Sequence, residues 1–284
     1  MMLDNYPFRR SGFAIMALIR VYSDLESTLM NLEKTLERIG YSGSLDVNAD
    51  VLSALQKAFL YSVPFENLDI HAGIPITLDP ERFYQKIVIE RRGGFCYECN
   101  TLFYQILLQL GFDVQMIAAR MVLTDINSQR YSHMALLVYL EQPYLADVGN
   151  GQSIHAAMPV PGEEISVAED IAYRVGPLTD QEYALYYKKP GAEWLPRFAF
   201  PLATRQLADF EPMCRFHQTA PESLFMKQRI CTLPTPGGRI SLLGNELAIL
   251  DHGQEQTREL DSDAQISLQL QKHFGFTLPV SKKS

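Results

Sequence analysis

Arg91-Arg92-Gly93-Gly94-Phe95-Cys96-Tyr97-Glu98-Cys99-Asn100 is the stretch on which the reading of this chain turns. Paired glycines permit a tight turn and a close backbone approach. Beyond them, Cys99, Leu102, Phe103, Ile106 and Leu110 share one helical face, and Gly111 ends the run. Cys96 therefore stands at the start of a helix. Unpaired N–H groups and the positive end of the helix dipole stabilise a thiolate there, so a lowered thiol pKa is expected. A thiolate is the form that attacks an acyl carbonyl. Cys96 and Cys99 also form a C-x-x-C, so a redox pair, half a zinc site and an inert core thiol compete with the nucleophile. A structural zinc site normally needs a second close pair. Cys214 and Cys231 are 17 residues apart, although His217 follows Cys214 by three. A thioredoxin-type dithiol follows a strand, whereas this pair follows helices. Cys99 falls on the apolar face and reads as core.

Upstream the chain reads helical. Ser23 and Glu26 have capping-box spacing, and Leu25, Leu29, Leu32 and Leu36 follow until Gly40. A second helix is expected from Asn48 to Leu60, with Val51, Leu52, Leu55 and Phe59 on one face. Asp79-Pro80 opens a third, to about Val88. Downstream of Gly111 the β-formers take over. Strands are expected at Val114–Leu123, His133–Leu140, Tyr144–Val148, Ile171–Val175, Tyr183–Tyr187 and Trp194–Phe200. Ser223–Thr232, Arg239–Leu243 and Glu246–Leu250 also read as strands, with Gly237-Gly238 as a hairpin turn. Asp263–Phe274 closes the chain as a helix.

A nucleophilic thiol wants a base and an orienter. His133 begins the apolar strand His-Met-Ala-Leu-Leu-Val-Tyr-Leu, and Asp147 ends the next. A hairpin loop with an odd number of residues would turn both to the same side. An Asp bound to one ring nitrogen fixes the tautomer and leaves the other nitrogen for the thiol. The bland readings are a solvated histidine at a strand start and an aspartate in turn chemistry.

Composition narrows the class. At about 150 residues per domain, 284 residues suggest two domains, or three small ones. The chain is 47% hydrophobic, enough to bury a core. Basic and acidic residues give 25 − 33 = −8, which argues against a nucleic-acid partner. Four cysteines exclude a disulfide scaffold and fit a reducing, cytoplasmic setting. No apolar run approaches the ~20 residues of a membrane helix. Arg9 and Arg10 before Phe13–Ile19 loosely resemble a signal peptide, but the stretch is short, Arg20 follows it and no cleavage site is visible. A disordered tail, or a true start at Met16, is expected instead.

At Arg92–Asn100 the sequence resembles the arylamine N-acetyltransferase family, whose signature R-G-G-x-C-x-E-x-N it matches at every fixed position. The resemblance continues at Pro64-Phe65-Glu66-Asn67-Leu68, at His133 and at Asp147-Val148-Gly149, and runs from about residue 29 to the end. It implies an α+β fold with a cysteine-protease-like core. The implied division is an extension at 1–28, a helical domain at 29–112 carrying the nucleophile, a β-barrel-like domain at 113–212 carrying His and Asp, and an α/β lid at 213–284.

The resemblance also implies roles. Cys96 would take the acetyl group from acetyl-CoA as a thioester. An arylamine, arylhydrazine or arylhydroxylamine nitrogen would then collect it, in the manner of xenobiotic metabolism. His133 would be the base and Asp147 its orienter, and no metal is expected. Glu66 and Arg92 would pair as scaffolding, while Phe65, Phe95 and residue 150 would line the substrate pocket. Relatives usually carry an aromatic residue where Asn150 stands, so a polar wall and a less usual acceptor are expected. Thr219-Ala220-Pro221 also departs from a usual Thr-His-Pro, which leaves the CoA contacts unassigned. Some basic residues must nonetheless gather at the cleft. The rivals are an amide synthase with the same triad, a papain- or transglutaminase-like cysteine hydrolase, and a redox protein using Cys96 and Cys99. Oligomeric state is not legible.

Overall fold

The computed structural model describes residues 30–122, 131–151, 154–162, 165–166 and 171–280. The expected cap at Ser23 and the positions Leu25 and Leu29 lie outside them, as does the segment with Arg9 and Arg10. The described chain opens with helix α1 (Leu32–Arg38). Helix α2 (Ala49–Ser62) starts where the Asn48 side chain accepts the Val51 N–H at 2.9 Å. Its apolar face of Val51, Leu52, Leu55 and Phe59 is buried as expected, each side chain contributing about 1.5–3 kcal/mol. A short strand, β1 (Phe65–Glu66), leads into α3 (Leu68–Ala72). Helix α4 (Pro80–Tyr84) begins at the Asp79 cap and closes in a π turn over Gln85–Ile89. Helix α5 (Cys96–Gln109) is the signature helix.

Strands β2 (Asp113–Met121), β3 (His133–Tyr139), β4 (Pro143–Ala146), β5 (Met158–Pro159), β6 (Ile165–Ser166), β7 (Ala172–Pro177), β8 (Tyr183–Lys188), β9 (Leu195–Phe200) and β10 (Thr204–Arg205) form one antiparallel sheet. Its order is β5-β4-β3-β2-β9-β8-β7-β6, with β10 paired to the middle of β2. β2 pairs β3 along most of its length and β9 only at Arg120 and Met121, so the sheet curls towards a barrel. Ile117, Ala135, Leu137, Leu145, Met158, Leu185 and Phe198 fill its interior. Met134, Leu136 and Val138 of β3 point the other way and are buried too, because α5 packs there. That double cover explains why β3 reads as an unbroken apolar run.

A second antiparallel sheet, of order β1-β11-β12-β13-β14, comprises β1 with β11 (Ile230–Thr235), β12 (Gly238–Leu243), β13 (Glu246–Asp251) and β14 (Gln254–Glu259). Helices α6 (Glu211–Thr219) and α7 (Leu224–Lys227) precede it, and α8 (Asp263–Phe274) covers it through Ile266, Leu270 and Phe274. The expected strand at Ser223–Thr232 is corrected here. Ser223 caps α7 by accepting the Phe225 N–H, and strand pairing begins only at Ile230. Buried Asn67 causes the change. Its amide donates to the carbonyls of Phe225 and Gln228 and accepts from the Ile230 N–H at 2.7 Å. Strand β14 was not expected at all. Every residue in it is exposed, so no alternation marks it. The class is α+β, as the sequence indicated.

Candidate active site

The site begins at the glycine turn. A Cβ on Gly93 would sit 2.0 Å from the Pro64 carbonyl oxygen, so glycine is required for that approach. The turn is held from outside by buried Arg38, whose guanidinium donates to the carbonyls of Ile87, Ser62 and Arg92. Glu98 accepts the Phe95 N–H at 3.1 Å and so caps the first turn of α5 from within. Cys96 is thereby fixed as the first residue of the helix and is 3% exposed. The expected lowering of its thiol pKa does not follow from these surroundings. Burial pushes the thiol well above its ordinary value, and the backbone N–H groups of Met134 and Tyr97 offset this only in part. Desolvation outweighs these backbone hydrogen bonds. Cys99 is fully buried, and its thiol donates to the Gly94 carbonyl, as suits a core thiol.

His133 and Asp147 come together through the β3–β4 hairpin. Tyr139 pairs with Pro143, so the loop is Leu140–Gln142, and its odd length puts both side chains on one side. His133 Nε2 lies 2.8 Å from Asp147 Oδ2. Nδ1 is then the ring nitrogen turned away from Asp147, in a histidine that shares a cleft with Cys96. Burial pushes the Asp147 carboxyl up, but His133, Asn100 and the Gly149 N–H outweigh it and hold it below the usual carboxylate range. Asn100 is the central connector. It donates to Asp147 Oδ1 at 2.9 Å and to the Met134 carbonyl at 2.7 Å, and accepts the Val148 N–H at 3.0 Å. Gln56 adds a bond to the Asp147 N–H. Asn100 is a fixed position of the signature, and that was the available signal for its importance. Gln56 carried none.

Glu66 and Arg92 pair at 2.7 Å, and the pair is part of a larger buried group. Arg92 also holds Asp69. Lys86 reaches Asp69 and Glu98 at 2.9 Å each. Burial opposes both cations, yet the surrounding carboxylates raise the Lys86 and Arg92 pKa values. Glu98 is pushed up to about 7, chiefly by burial. Nothing in the sequence singled out Lys86 or Asp69.

A cleft of about 290 Å³ opens onto Cys96 and His133, lined also by Phe65, Asn150, His217, Phe225 and Arg239 among others. Phe65 and Asn150 line this cleft. Phe95 does not. It is fully buried, edge-on to His217 and Phe225. Asn150 is polar but already engaged. Its Nδ2 donates to Asp147 Oδ2 at 3.0 Å and its Oδ1 accepts from Arg197. The polar wall is thus paired within the protein, which removes the ground for expecting an unusual acceptor. Arg239 brings a cation to the cleft and donates to the Gly151 carbonyl at 2.6 Å. All four cysteines are free and buried. Among the described residues no helix is long and apolar enough to cross a membrane, and no group of three or more His, Cys, Asp or Glu is placed to hold a metal.

Residues 48–283 match the family model described as N-acetyltransferase, which sets the class. The chain is 32% identical over 257 residues to an arylamine N-acetyltransferase of Mycolicibacterium smegmatis, covering 88% of this chain and 93% of that one. The structure of the Mycobacterium marinum arylamine N-acetyltransferase in complex with CoA matches with a TM-score of 0.77 and 30% identity, over 87% of this chain and 93% of that one. A Bacillus cereus arylamine N-acetyltransferase described with a Cys-His-Glu catalytic triad matches at a TM-score of 0.78 and 27% identity, over 87% and 98%. The chain belongs to the arylamine N-acetyltransferase family and is an acyltransferase.

Proposed function

We propose that this chain transfers an acetyl group from acetyl-CoA to the nitrogen of arylamines, arylhydrazines or arylhydroxylamines, through an acetyl-Cys96 thioester. The observation that carries the reading is the 2.8 Å contact of His133 with Asp147 in a cleft shared with Cys96. Because burial keeps the isolated Cys96 thiol protonated, the thiolate has to come from proton transfer to a base. His133 Nδ1 is that base, and Asp147 stabilises the imidazolium that forms. The thiolate attacks the acetyl carbonyl, with backbone N–H groups at the start of α5 as the oxyanion donors. CoA leaves with the proton from His133. In the second half-reaction the acceptor nitrogen attacks the thioester, gives its proton to His133, and the Cys96 sulfur leaves. Two easier steps replace one difficult one, and the kinetics are ping-pong.

The CoA complex of the M. marinum relative supports the donor, and the printed names of the relatives support the acceptor class. Four buried free thiols suit a cytoplasmic location.

Intact-protein mass spectrometry tests the reading. Acetyl-CoA alone should add about 42 Da to the wild type, one acetyl replacing one hydrogen in covalent catalysis. Cys96→Ala should show no adduct, and an arylamine should discharge it. Loss of the adduct at equal rate without any acceptor would indicate the hydrolase instead. No adduct under conditions of turnover would end the mechanism.

A further inference from the structure

A second cavity, of about 500 Å³, opens on the outer face of the barrel-like sheet and shares no lining residue with the catalytic cleft. Strand register decides what faces it. Arg205 pairs with Met116 and Ala199 with Arg120, and paired residues share a face. Arg205, Ala118, Arg120 and Ala199 therefore stand on the side opposite the interior residues Ile117 and Phe198. Ala118 and Ala199, with exposed Ala203 at the rim, leave an apolar hollow that larger side chains would fill. Two guanidiniums border it. Arg120 is held by Glu182, at 3.3 Å through Nε and 2.8 Å through Nη2. Glu182 is the only carboxylate among the described residues that line the cavity. Arg205 has no carboxylate partner among the described residues, and its Nε is buried without a hydrogen bond. Its guanidinium carbon lies instead 5.0 Å from the centre of the Tyr131 ring. Tyr131 stands at φ 70°, in the left-handed region where a bulky residue is rare. The Tyr97 hydroxyl keeps it there by donating to its carbonyl at 2.7 Å, and Phe210 packs against its ring at 5.9 Å. Backbone strain of this kind collects at ligand clamps.

We propose that this cavity is a binding site for a small organic carboxylate, with Arg205 as its anion anchor and the alanine floor receiving its apolar body. Charge decides the class. One carboxylate against two guanidiniums leaves a single positive charge, which one carboxylate ligand balances and a dianion exceeds. A guanidinium stacked on a ring keeps its N–H edge for an anion, and its planar fork matches a carboxylate through two parallel hydrogen bonds. Stacking on Tyr131 fixes that plane before the ligand arrives, so little rotamer freedom is lost on binding. Size argues against a bare ion as the whole occupant. The volume falls in the range of small-molecule pockets, and the alanine side chains offer an inorganic ion no donor. The site stands apart from acetyl transfer. Ala118 and Arg120 alternate away from Met121, the residue of β2 that lines the catalytic cleft.

Benzoate is the probe, and carbon-13 methyl NMR of the full chain labelled at alanine and methionine locates it. The Ala118, Ala199 and Ala203 methyls should shift saturably. In Arg205→Leu the affinity they report should fall by roughly 10- to 150-fold, the range of a hydrogen bond to a charged group. The Met121 methyl reports binding in the catalytic cleft as a separate event. Absence of saturable alanine shifts, or undiminished affinity in Arg205→Leu, overturns the proposal. Benzyl alcohol keeps the ring without the charge, and inorganic phosphate keeps charge without an apolar body. Each should bind at these methyls more weakly than benzoate by about tenfold or more. Equal binding of either overturns the ligand class. If Arg205→Leu does not fold, Ala203→Trp decides instead. Filling the hollow from its rim should abolish the Ala118 and Ala199 shifts, and their persistence overturns the proposal.

Discussion

Asn150 Nδ2 lies 3.0 Å from Asp147 Oδ2, the same carboxylate oxygen that meets His133 Nε2 at 2.8 Å. A residue expected to face substrate is thus part of the frame that aims the histidine. Asn150→Ala removes one charge-assisted bond from that oxygen. Acetylation of Cys96, followed as the burst of CoA release, should slow by about tenfold, the lower end for a hydrogen bond to a charged group. The KM for the acceptor should change little. A raised KM at full burst rate would return Asn150 to the substrate pocket.

Gly149 sets the spacing between the two halves of the site. A Cβ there would stand 2.7 Å from Cys96 Cα and 2.7 Å from Asn100 Nδ2. Gly149→Ala must therefore displace either the helix start or the Asp147 connector, at about 1–3 kcal/mol of overpacking. Both melting temperature and adduct formation should fall. Gly176→Ala is the comparison, since its Cβ would make only an ordinary 3.8 Å contact with Tyr186. Equal behaviour of the two variants would refute the close-approach argument.

The buried Glu98 makes stability depend on pH. Its carboxyl is raised from an ordinary 4.5 to about 7, chiefly by burial. Between those values the folded chain holds a proton that the unfolded chain has released. Stability from this group is thus fullest below pH 4.5 and declines as pH rises to about 7. The span corresponds to roughly 3 kcal/mol. Urea unfolding at pH 5 and pH 7 should show this decline in the wild type and not in Glu98→Gln. The same slope in both proteins would place the titration elsewhere.

Arg92 joins the helical segment to the second sheet. It holds Glu66 of β1 and Asp69 of α3, and its guanidinium carbon sits 5.8 Å from the centre of the Phe276 ring. Arg92→Leu strands two buried carboxylates with Lys86 as their remaining cation. It should cost about 3–5 kcal/mol in thermal or urea unfolding. Arg92→Lys keeps the charge but loses the two-pronged geometry, and should fall between. A loss below 1 kcal/mol for Arg92→Leu would mean the group is already solvated.

The helix at Cys96–Gln109, a β-hairpin after it and the family were legible in the residues alone. These depend on local signals: 3.6-residue periodicity, glycine punctuation, runs of β-formers and a short fixed motif, whereas the odd loop that turns His133 and Asp147 to one side was settled by the strand register. What surrounds them is set by packing between distant parts of the chain. Periodicity says which face of an element is buried, not what buries it, so Asn67 folding the turn at Phe225–Gln228 and β1 pairing with β11 were invisible. The proton affinity of Cys96 was misread for the same reason. A helix start is written along the chain, whereas desolvation belongs to the whole volume around the thiol. Asn150 shows the same division. Its polarity is in the sequence, and the partner that uses it is in the fold.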